Sequence, residues 1–60
     1  MPKAEQYLVR READGTMRTI VAHSVRGAMQ IFLTRYTPPP GEFYLVKKRG
    51  EGEWERYKVS

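Results

Sequence analysis

The sequence predicts an α+β domain with the element order ββαββ, and three observations carry that reading. Two short β-prone runs flank Asp14-Gly15, a helical period begins after Ser24, and two further β-prone runs follow a proline cluster. All 60 residues are expected to form one domain.

The first two strands are Gln6 to Glu12 and Met17 to Ala22, joined through Asp14-Gly15, the dipeptide best suited to the positive φ of a tight turn. From Ser24 the apolar residues Val25, Ala28, Met29, Phe32, Leu33 and Tyr36 recur at i, i+3, i+4, i+7, i+8 and i+11. That spacing is the stripe of an amphipathic helix from Ser24 to Tyr36, with Ser24 as its N-cap. Gly27 weakens the first turn by about 1 kcal/mol relative to Ala, which suggests a close approach of helix to sheet. Ile31 lies off the stripe and calls for a separate explanation.

Pro38-Pro39-Pro40-Gly41 ends the helix and holds the chain extended. The same run could serve a proline-recognising domain, although the helix-to-strand joint already accounts for it. Phe43 to Lys48 and Trp54 to Val59 form the last two strands around Gly50-Glu51-Gly52. If the third strand lies beside the first, the sheet is fully antiparallel in the order 2-1-3-4. The helix then covers one face and leaves the other open.

Trp54, Arg56 and Lys58 alternate along the last strand and so share a face. A three-residue Gly50-Glu51-Gly52 loop sets Lys47 opposite Glu55 and Leu45 opposite Tyr57, with Tyr44, Val46 and Lys48 beside Trp54, Arg56 and Lys58. A turn at Glu51-Gly52 instead exchanges Tyr44 and Val46 with Leu45, while Trp54, Arg56 and Lys58 still oppose the face of Tyr57 and Val59. In the first hairpin a two-residue loop sets Arg11 across from Arg18, and a three-residue loop sets Arg10 there. Either way like charges are opposed, and an anion, Glu12 or solvent would relieve them.

Eleven Lys and Arg against seven Asp and Glu give a net charge of +4, with an isoelectric point near 9.8. That balance suits either attraction to polyanions or plain solubility. With no Cys there is no disulfide or thiolate metal site, and a reducing cytoplasm is the expected setting. No membrane span is expected, since the longest apolar run is Ile31-Phe32-Leu33. The lone His23 has no acid close in sequence to orient it, the acids are scattered, and the glycines at 50 and 52 precede a strand rather than a helix. The pattern points away from an enzyme and requires no cofactor or metal.

The candidate binding residues are therefore Trp54, Arg56 and Lys58, supported by Tyr44, Lys48, Arg10, Arg11 and Arg18. Such a face can stack bases and track phosphates of a nucleic acid, or dock on a host protein or nucleoprotein complex. It can also close against a second copy of the chain, or the copies can pair through their edge strands. The succession YLVRRE, TIVAHSVRGAMQIFL and a closing hairpin ending WERYKV resembles, in size and element order over the whole chain, the compact one-helix antiparallel-sheet proteins among phage-encoded anti-CRISPR inhibitors. That resemblance implies steric inhibition of a host CRISPR effector at its nucleic-acid path. The basic face sets the chain apart from the acidic members that mimic DNA.

Overall fold

The computed structural model describes residues 3–60. Four strands, β1 (Glu5–Arg11), β2 (Met17–Ala22), β3 (Phe43–Lys48) and β4 (Glu55–Lys58), and one helix, α1 (Val25–Tyr36), follow the predicted order. The sheet is antiparallel in the order β2-β1-β3-β4. The helix lies on one face, against β2, β1 and β3.

The core forms where the helix stripe meets alternate strand residues. Ala28, Met29 and Phe32 are buried against Tyr7, Val9, Ile20, Ala22, Tyr44, Val46 and Val59, and Val25 and Leu33 pack at its margin. No polar or charged residue is buried among the described residues, so apolar contact is the main force between the two layers. Tyr36, the last residue of the predicted stripe, is exposed; its ring packs at 5.0 Å from that of Phe32 and carries the Arg18 guanidinium at 4.8 Å.

Ser24 caps the helix, its Oγ accepting the Gly27 N–H at 3.0 Å. A Cβ on Gly27 would stand 3.2 Å from that Oγ but 3.9 Å from the Ala22 Cβ, so the glycine makes room for the cap more than for the sheet. At the other end Thr37 adopts φ 42° and donates its N–H to the Leu33 carbonyl. The left-handed region is unfavourable for a β-branched side chain, and Pro38 follows directly, so the chain leaves the helix at once.

Both hairpins differ from the expected registers. The first has a four-residue connection, Glu12 to Gly15. The Arg11 carbonyl accepts the Gly15 N–H, Arg11 N–H donates to the Thr16 carbonyl, and Asp14 Oδ1 accepts the Thr16 N–H. The Asp14 side chain thus completes the turn, Gly15 takes a positive φ of 76°, and Arg11 rather than Ala13 becomes the last residue paired across the loop. Val9, not an arginine, faces Arg18, and the expected opposition of like charges does not occur.

In the second hairpin Leu45 faces Arg56 and Val46 faces Glu55. The turn closes with the Glu51 N–H on the Lys48 carbonyl, and Gly50 and Gly52 both take positive φ. Lys47 consequently lies over the Trp54 ring instead of opposing Glu55, and Arg56 lies over Phe43. Exposed cation–π pairs contribute about 0.5–1 kcal/mol and exposed ion pairs about 0.2–1 kcal/mol, so the surface pairs nearly cancel. The core decides the register: Val46 faces Val9 beneath the helix, and the Tyr44 ring packs 4.9 Å from Phe32.

Substituting Met29→Ala in this small core is expected to cost about 3 kcal/mol and to lower Tm by roughly 12–24 °C in a thermal melt followed by circular dichroism. Thr37→Gly is expected to raise stability by about 0.5–1 kcal/mol, since it removes the left-handed penalty at some cost in chain entropy. A melt unchanged or lowered by Thr37→Gly would contradict that reading of the helix end.

Candidate functional site

Alternation and register together fix the open face. Across the sheet from β2 to β4, one row reads Thr19, Leu8, Lys47 and Trp54, and the next reads Met17, Arg10, Leu45 and Arg56. Glu12, Phe43 and Lys58 form a third row at one end, and Val21, Gln6 and Arg49 extend the face at the other. At its middle Leu8 and Leu45 alternate with Lys47 and Arg10, further cations stand toward β4 and the loops, and the β2 side carries none.

This face carries five cations, Arg10, Lys47, Arg49, Arg56 and Lys58, against the single carboxylate of Glu12. The rest of the chain, helix and loops included, holds six Lys and Arg and six Asp and Glu. The entire net charge of +4 is therefore located on the face that the helix leaves uncovered.

Two cations are held in place by neighbours. Arg56 makes a bidentate pair with Glu12, with both N···O distances 2.9 Å, while its Cζ lies 3.8 Å from the centroid of Phe43. Arg49 Nη1 donates to Gln6 Oε1. Lys58 Nζ stands 5.9 Å from the Phe43 centroid and Lys47 Nζ 5.2 Å from that of Trp54, and among the described residues neither forms an ion pair. Arg10 also lacks a carboxylate partner there.

Of the eight residues proposed from sequence, the open face gathers Trp54, Arg56, Lys58 and Arg10. The other four lie on the helix side. Tyr44 is buried, only 5% exposed, and so is not available to stack a base. Its hydroxyl donates to Glu42 Oε1, and burial raises its pKa first, with the Glu42 hydrogen bond adding to the shift. Arg11 is bound to Glu42 and, at 3.2 Å, to Asp14; the Glu42 hydrogen bond raises its pKa further. Hydrogen bonding from Thr16, first from its backbone N–H, holds Asp14 below the usual carboxylate range.

Arg18 rests on Tyr36, and Arg11, Arg18 and Tyr44 line a cleft of about 360 Å³ between the first hairpin and the helix C-terminus. Lys48 pairs with Glu51 at 2.9 Å and more loosely with Glu5 at 3.9 Å. The Glu51 hydrogen bond raises the Lys48 pKa, and Lys48 in turn lowers that of Glu51.

Lys47, Arg49 and Phe43 are the cationic and aromatic members of the face that sequence reasoning missed. The signal was present: they alternate with Tyr44, Val46 and Lys48, so burying Tyr44 and Val46 turns them outward.

The two kinds of cation should respond differently to truncation. Arg56→Ala is expected to destabilise the fold by about 1 kcal/mol, through loss of the Glu12 pair and the Phe43 contact, whereas Lys58→Ala should leave the melt nearly unchanged. Equal effects in paired thermal melts would contradict this division into a structural and a free cation. Against protein-family models, curated proteins and solved structures alike, the chain gives no match.

Proposed function

We propose that this chain is a non-enzymatic binding protein whose open sheet face engages the phosphates of single-stranded nucleic acid. The observation that carries the reading is the segregation of charge: the whole +4 lies on one face, around a tryptophan. Solubility alone needs charge somewhere on the surface and has no preference for one face. A flat basic surface with an aromatic ring is what sequence-tolerant strand binding uses, phosphates taken by Lys and Arg and a base stacked on the indole. Lys47, Lys58 and Arg10, free of carboxylates, are the cations with most to gain from a phosphate, and Arg56 is already held in a fixed orientation.

A second reading is favoured by the aliphatic centre of the same face, where Leu8 and Leu45 stand half-buried between the cations. Phosphates have no use for these side chains, but a protein partner does, and Trp with Arg around an apolar centre is the composition of a protein hot spot. In this reading the face docks at the nucleic-acid path of a host nucleoprotein complex and blocks it sterically, as the resemblance to phage-encoded anti-CRISPR inhibitors implies.

Trp54 is the only tryptophan and thus a built-in reporter. Titration with a single-stranded oligonucleotide should quench its fluorescence. With about four phosphates contacted, log K should fall with log salt at a slope near −2.8. Lys47→Glu with Lys58→Glu, which breaks no ion pair, should abolish the quench and leave the fold intact. No salt-dependent quench, together with a nuclease-resistant protein complex recovered from bacterial lysate by the tagged chain but not by the double variant, would replace strand binding with the inhibitor reading.

A further inference from the structure

The two edges of the sheet are built differently. Along β4 the backbone of Glu55, Tyr57 and Val59 is directed to β3, an alternation anchored by Val59 N–H on the Glu42 carbonyl. The outward residues are then Arg56 and Lys58, and their cations guard that edge against another strand.

On β2 the Arg11 N–H donates to the Thr16 carbonyl, so Thr16, Arg18, Ile20 and Ala22 turn their backbone groups to β1. Met17, Thr19 and Val21 direct theirs to solvent. None of the three is charged or proline, and Val21 at 59% and Met17 at 49% are the two most exposed large apolar residues described. Beside them on the helix flank stands Ile31, the apolar residue off the core stripe; it shares a shallow cleft with Val21 and Ala22. Natural sheets block such an edge or use it.

We propose that β2 pairs antiparallel with β2 of a second copy about a two-fold axis at Thr19. The occupant follows from self-complementarity. Keeping both helices on the same side of a continuous sheet requires residue-centred registers, because directly opposed residues share a face. The register centred on Thr19 also brings every outward residue into a hydrogen-bonded pair, Thr19 with Thr19 and Met17 with Val21. Centring on Ile20 leaves Met17 unmatched. Among these outward-directed residues the Thr19 register places apolar against apolar and hydroxyl against hydroxyl, while on the helix side Arg18 stands opposite Ile20 of the second copy.

Charge permits the pairing on this edge. β2 contributes no charged side chain to the open face, and its one cation, Arg18, is drawn over Tyr36 on the helix side. The nearest open-face cation is Arg10 on β1, about 7 Å from the axis at ordinary strand spacing, so the two Arg10 rows stand about 14 Å apart. That exceeds the Debye length of about 8 Å at physiological ionic strength. The dimer is an eight-stranded sheet with a neutral centre, two basic flanks on its open side, and the Ile31 flanks of the two helices turned toward each other.

The test uses the full chain without nucleic acid, so its result does not depend on what the open face binds. Light scattering coupled to size exclusion should give twice the chain mass of 7.0 kDa. Thr19→Lys, which sets two ammonium groups at the axis, should return the mass to that of one chain with an unchanged circular dichroism spectrum. Val21→Lys should do the same should the first variant fold poorly. The chain has no cysteine, so Thr19→Cys introduces a single thiol. Opposed Cα atoms of a hydrogen-bonded pair lie about 5.5 Å apart, within disulfide range. Mild oxidation should cross-link Thr19→Cys nearly completely and Lys58→Cys only slightly. A single-chain mass from micromolar to millimolar concentration overturns the proposal, as does a dimer that both Lys variants leave intact or in which Thr19→Cys cross-links no better than Lys58→Cys.

Discussion

One twelve-residue helix is all this chain has with which to cover a four-stranded sheet, and the other features follow from that limit. A helix buries one face of a sheet, so every strand must sort its side chains by alternation into a helix-facing set and an outward set. The helix-facing set is short and closely defined: Val9, Ile20 and Val46 are 1% exposed, and with Met29 of the helix they fill the centre. Because the core is so small, the registers that deliver those residues to it take precedence over pairings on the surface. That is how Lys47 comes to lie on Trp54 although Glu55 is close in sequence.

Much of this was legible in the residues themselves. Helix limits, the Ser24 cap, the strand order and the bounds of β2 and β3 follow from periodicity and from Ser, Pro and Gly placement, which act locally. Register was not legible, because it depends on loop length, and loop length here depends on hydrogen bonds formed only in the folded turn. Asp14 accepting the Thr16 N–H adds residues to the first loop, and no count of turn-forming dipeptides shows that. The candidate site divides along the same line. Trp54, Arg56 and Lys58 share a face through alternation within one strand and survive any register, whereas Tyr44, Lys48, Arg11 and Arg18 depended on registers that the structure does not adopt.

The outward set has its own physics, since no second layer shields it from water. Apolar groups there are partly covered by the stems and heads of long cations, Arg56 and Lys58 about Phe43 and Lys47 over Trp54. The arrangement protects aromatic surface and at the same time concentrates positive charge, so a single sequence solution meets the demands of solubility and of anion attraction. Glu12 is the exception that fixes geometry, holding Arg56 through both oxygens at the boundary between the face and the first loop.

Charge placement and edge design also constrain each other. Had the cations been spread evenly over the four strands, β2 would carry some of them, and its outward backbone groups would be protected as those of β4 are. Instead β2 is neutral on the open face, and the charge it lacks is gathered on β1, β3 and β4. Segregating charge to make one basic surface therefore strips the far edge of its protection and leaves Met17, Thr19 and Val21 unguarded. Pairing two such edges removes the exposed backbone and places the basic surfaces of the copies on opposite flanks. The asymmetry that gathers the charge on one face thus also leaves the β2 edge without the cations that guard β4.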